Sequence, residues 1–85
     1  MEVPIDQVLA GLERHLEPVL GPLMTSAAIR AQCERLGVRG ATMEHARIDA
    51  LVSALAKGTR VFAGAARTRE VFEGLTERLI AEAQA

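Results

Sequence analysis

Few residues in this sequence could carry chemistry. His45 and Asp49 stand four residues apart, so on a helix they share one face, with Glu44 adjoining. An imidazole and a carboxylate at that spacing could contribute to a metal site, but two ligands on one helix leave most of a coordination sphere unfilled. The ordinary reading of that spacing is a solvent-facing ion pair or hydrogen bond. His15 falls at the edge of an apolar stripe and reads as a boundary residue. Cys33, the single cysteine, lies within an apolar stripe, where a thiol acts as a small hydrophobe. A nucleophilic role would need a lowered pKa and a neighbouring base. Gly58-Thr59-Arg60 and Gly64 follow no strand and lack the spacing of a phosphate-binding loop. No Cys/His set has zinc-ligand spacing, so the expectation is a chain without metal or cofactor.

The elements that would have to position such groups are small. Eighty-five residues make one domain, 1–85, and a chain of that size buries only roughly 60–65% of its unfolded surface. Hydrophobic residues make up 49%, yet there is no Trp or Tyr and there are only two Phe. The apolar mass is therefore aliphatic and alanine-rich, which favours helix but buries little area per residue. One cysteine allows no internal disulfide. Stability for such a chain is expected to come partly from association with another. A concave pocket for a paired-carboxylate hydrolase is hard to build from these materials, and the reading is not an enzyme.

Hydrophobic periodicity predicts an all-α fold, a small self-associating four-helix bundle, with helices over about 4–20, 22–36, 42–63 and 67–83. In the first, Ile5, Val8, Leu9, Leu12, Leu16, Val19 and Leu20 form one stripe, and Pro18 predicts a kink or an early stop near Glu17. Gly21-Pro22 restarts the chain, and Gly37 is the expected left-handed stop of the second helix. Thr42 is placed as the cap of a third helix whose main stripe is Ile48, Leu51, Val52, Leu55 and Phe62. Gly64 breaks the chain, and a last helix starting near Thr68 carries Val71, Phe72, Leu75, Leu79 and Ala83. There is no strand signal.

The two inner helices each show a second apolar face made mostly of small residues. Met24, Ala28 and Ala31 lie on one helix; Met43, Ala50, Ala54 and Val61 lie on the other at spacings of seven, four and seven. A closed bundle needs one stripe per helix. The surplus points to pairing with a second copy, a homodimer first of all, through those seven residues. The bland alternative is that exposed alanines are simply good surface helix formers.

Charge is uneven along the chain. From Ala50 to Arg69 the charged residues are Lys57, Arg60, Arg67 and Arg69, while four glutamates follow from Glu70 onward against Arg78 alone. Neutralisation between neighbouring helices is one reading; a docking patch for a protein partner is the other. The net charge of -1 gives no global attraction to nucleic acid or to an anionic membrane. No run approaches the ~20 apolar residues of a membrane span. The start, Met-Glu-Val-Pro, has no basic, hydrophobic leader, so the expected location is cytoplasmic. Nine arginines to one lysine, with abundant Ala, Gly and Leu, suggest a GC-rich bacterial source.

Two stretches carry family resemblances. Leu16-Glu17-Pro18-Val19-Leu20-Gly21-Pro22-Leu23, a helix running into Gly-Pro and then a small-residue helix, is similar to a helical module of undefined role in some bacterial kinases and response regulators. That resemblance implies a regulatory or scaffolding part without catalysis. Cys33-Glu34-Arg35-Leu36-Gly37-Val38 followed by Ala41-Thr42-Met43-Glu44-His45-Ala46-Arg47 resembles the helix-turn-helix corner of bacterial repressor-type DNA-binding domains. A recognition helix offers Arg, Lys, Gln, Asn or Ser to bases and phosphates, whereas this one opens on Met43, Glu44 and His45 with Asp49 a turn later. The leading expectation is accordingly a non-catalytic protein–protein interaction or oligomerisation module, bacterial and regulatory or scaffolding, with a DNA-binding regulator as the alternative.

Overall fold

A computed structural model describes residues 1–85. The chain runs through β1 (Glu2–Pro4), α1 (Ile5–Leu20), α2 (Pro22–Leu36), β2 (Thr42–Glu44), α3 (His45–Ala63), α4 (Ala65–Phe72) and α5 (Leu75–Ala83). It is a small all-α domain, 79% helical, to which the two short strands add a ribbon.

The apolar stripes become the core. Val8, Leu12 and Leu16 of α1, Ile48, Leu51 and Leu55 of α3, and Leu75 and Leu79 of α5 are fully buried, and α2 adds only Ile29. α1 packs against α2 on one side and α5 on the other, while α3 packs against α2, α4 and α5. Pro18 does not end the first helix near Glu17. It lies in the last turn, where little ladder remains to lose, and the Gly21 N–H donates to the Glu17 carbonyl to close the end.

Gly21 and Gly64 make the same corner twice. Each has positive φ, 81° and 88°, with ψ near 160°, a region that only glycine occupies without strain. Each closes the helix before it through its N–H, to Glu17 and to Arg60, and opens the helix after it through its carbonyl, to the N–H of Thr25 and of Thr68. One residue thus joins two helices.

Two expectations from the sequence are corrected. The third helix begins at His45, not at Thr42, because Thr42–Glu44 is extended and pairs antiparallel with Glu2–Pro4, Val3 standing opposite Met43. Side chains alternate across a strand, so Val3 and Met43 turn into the core while Glu2, Pro4, Thr42 and Glu44 face out. The last helix starts at Ala65 and is divided: Glu73 is extended and Gly74 left-handed, which separates α4 from α5. Arg78 spans the break, donating to the carbonyls of Glu73 and Val71.

The α1–α5 seam is close. A methyl group at Gly11 would come within 2.6 Å of Leu79 Cδ2, so only glycine admits this approach. At its edge Glu82 accepts from Arg14 at 2.9 Å and from His15 Nε2 at 3.0 Å. The hydrogen bond with His15 holds the Glu82 carboxyl below the ordinary glutamate range; partial burial opposes this, and Arg14 adds to it. A carboxylate with a lowered native pKa contributes stability that is complete above its unfolded value and lost as pH falls through the native one. The urea midpoint should therefore drop between neutral pH and about pH 3, and Glu82→Gln should remove part of that drop. The part is small because the pairs are solvent-exposed. An identical acid limb in the variant would deny the seam this role.

Thr25 is fully buried, and its hydroxyl has no hydrogen-bond partner. At the equivalent corner the Thr68 hydroxyl donates to the Gly64 carbonyl at 2.7 Å, whereas the Thr25 hydroxyl makes no such bond to Gly21. Thr25→Val keeps the shape and removes the orphaned hydroxyl, so it should raise stability by about 1 kcal/mol in urea titration. A fall in midpoint would mean that the hydroxyl is satisfied in solution.

Candidate interaction surfaces

The residues with catalytic or metal-binding types are held apart. His45 Nε2 meets Glu77 Oε2 at 3.1 Å, and Asp49 accepts from the Thr76 hydroxyl at 2.9 Å, so each partner of the i, i+4 pair is tied separately to the start of α5. No three His, Cys, Asp or Glu side chains come together in a metal-holding group. Burial pushes the Cys33 thiol above its ordinary value, away from the thiolate that a nucleophile requires.

The corner that resembles a helix-turn-helix is occupied internally. Thr42 donates to Glu2 across the ribbon, Arg47 donates to the Leu36 carbonyl, and Met43 is part of the core. The connection from α2 to α3 contains β2, so the two helices are not joined by a bare tight turn.

Of the seven residues read as an interface, the structure brings three together. Met24 and Ala28 of α2 and Ala54 of α3 line a cleft of about 140 Å³, joined there by Leu20 and Phe62. Val61 is 90% exposed and does not line the cleft. Ala31 and Ala50 are exposed but do not line the cleft. Met43 is a correction: at 3% exposure it faces Val3 inside the fold and presents no surface, because the strand turned it inward.

Sequence reading missed the strongest apolar feature of the surface. α2 and α3 run so that the start of one lies beside the end of the other, and at that end Leu23 is 87%, Met24 44% and Phe62 59% exposed. Phe62 keeps the phase of Leu55 and was therefore assigned to the core stripe. α3, however, is 19 residues, about 28 Å long, against a longest molecular dimension of 32 Å. Thr59 is still buried, whereas Phe62, one turn later, is exposed at the rim of the cleft between α2 and α3. Comparing helix length with core size is the signal that could have found it.

A second surface lies between α3 and α4. Lys57, Arg60 and Arg69, three of the four cations singled out in the sequence, line one groove of about 670 Å³ together with Ala56, Ala65, Phe72 and Glu73. Arg67 lies outside it. None of the four cations forms an ion pair within the chain; of the four glutamates that follow, Glu82 pairs with Arg14 and His15 and Glu77 with His45, while Glu73 lines the groove itself.

No helix is long and apolar enough to cross a membrane. Compared with known proteins, the chain matches no family model, no curated protein and no solved structure.

Proposed function

We propose that this chain is a non-catalytic interaction module that pairs with a second copy of itself, in a bacterial regulatory or scaffolding role in the cytoplasm. The observation that carries the reading is that Met24 and Phe62, both exposed, line one cleft where the start of α2 meets the end of α3, with the exposed Leu23 and Val61 next to them in the chain. Each such side chain left in water forgoes about 1.5–3 kcal/mol that burial would provide, and monomeric proteins seldom gather several in one place. A two-fold arrangement would set the patch of one copy on the same patch of the other, the commonest symmetry of soluble assemblies. Ala28 and Ala54 at the edge of the cleft let helices approach closely.

The test is absolute mass by light scattering across a dilution series. The wild-type mass should fall from dimer to monomer on dilution. A chain carrying Val61→Glu and Phe62→Glu should remain monomeric at every concentration with unchanged helicity. A wild type that stays monomeric at the highest concentration, or a double variant with unaltered mass, defeats the reading.

A further inference from the structure

We propose that the groove between α3 and α4 binds an acidic amphipathic segment of a partner protein. The proposal rests on the reading of the chain as an interaction module, but uses a different surface from self-association. Lys57 and Arg60 are three residues apart on α3, and Arg69 and Phe72 are three apart on α4, so each helix turns a pair of neighbouring side chains to the same groove. The result is a cationic rim of three around the half-buried ring of Phe72. All three cations lack an ion-pair partner in the chain, although the chain as a whole carries a net charge of -1.

The chemistry of the occupant follows from that arrangement. Carboxylates complement the rim, and an apolar side chain complements Phe72; a helix with Glu and Leu at i, i+3 and i+4 presents both. Glu73 also lines the groove, so the occupant's carboxylates must meet the three cations on the side away from it; a nucleic-acid strand fits less well, because a single ring offers no row of stacking platforms for successive bases. The groove volume of about 670 Å³ accommodates a few side chains of such a helix.

The experiment titrates a fluorescein-labelled Glu/Leu-patterned helical peptide of about 15 residues into the full chain at low and at high salt. The same peptide with Lys for Glu and a single-stranded oligonucleotide serve as parallel probes. The expected result is anisotropy-detected binding of the acidic peptide that weakens with salt. Lys57→Glu combined with Arg60→Glu should weaken it by about tenfold or more, whereas Arg67→Glu, outside the groove, leaves it nearly unchanged. Arg69→Ala, a milder change, should weaken it with helicity intact. The Val61→Glu, Phe62→Glu chain should bind as the wild type does, which separates failure of the groove from failure of self-association. No binding of the acidic peptide at low salt, tighter binding of the Lys peptide or the oligonucleotide, or equal losses for Arg67→Glu and the groove variants would overturn the proposal.

Discussion

Leu79→Ala is expected to cost about 2–5 kcal/mol of folding stability. Leu79 is 1% exposed and its side chain sits directly over Gly11 of α1. Opposite Leu79 stands a glycine, which has no side chain to swing into the space that the leucine leaves. The cavity term therefore adds to the lost transfer energy. A domain of this length holds about 4–13 kcal/mol in total, so the loss is a large share. The midpoint of urea unfolding should fall with an unchanged slope, and Tm should drop by roughly 10 °C or more. A shift below about 1 kcal/mol would mean that the seam can collapse, and that the close approach at Gly11 does not constrain it.

Gly64→Ala is expected to cost about 1–3 kcal/mol, with Gly21→Ala close to it. The reason is unusually clean. A methyl group built at either position has nothing within 4 Å, so crowding contributes nothing and the whole cost is backbone strain at φ 88° or 81°. An L residue resists that conformation, whereas a D residue favours it. A synthetic chain with D-alanine at position 64 should consequently retain or exceed wild-type stability, while the L-alanine chain loses it. Equal destabilisation by both enantiomers would place the cause in side-chain contact and refute the argument. Gly64 also sets the angle between α3 and α4, so the L-alanine chain should bind the acidic peptide more weakly at a temperature where it is still folded.

The helices were legible because each rests on local periodicity and punctuation. The stripe from Ile5 to Leu16, the Gly21-Pro22 corner, the stop at Gly37 and the stripe from Ile48 to Leu55 all appear in the structure where the spacing placed them. The ribbon was not legible. Glu2–Pro4 and Thr42–Glu44 are three residues each and lie about forty residues apart, too short for alternation to register and too distant for any local rule to pair them. That pairing delayed the start of α3, turned Met43 inward and removed it from the interface set. The break at Glu73-Gly74 was missed for a related reason: Val71, Phe72, Leu75 and Leu79 keep one apolar phase across it, and phase alone does not reveal an interruption.

The surfaces divide in the same way. The sequence contained the four cations and the small-residue faces, but several of these were equally compatible with solvated helix surfaces. Lys57, Arg60 and Arg69 became one groove, with Arg67 left out, only when Gly64 folded α4 back along α3. Met24 and Phe62 came to share a cleft only because the end of α3 lies beside the start of α2. By itself the sequence determined helix content, the corner glycines and the apolar stripes, since those depend on residues within a turn or two of one another. The tertiary structure decided which charges stay unpaired and which apolar side chains remain uncovered, because both depend on which helix lies next to which and on where each one ends.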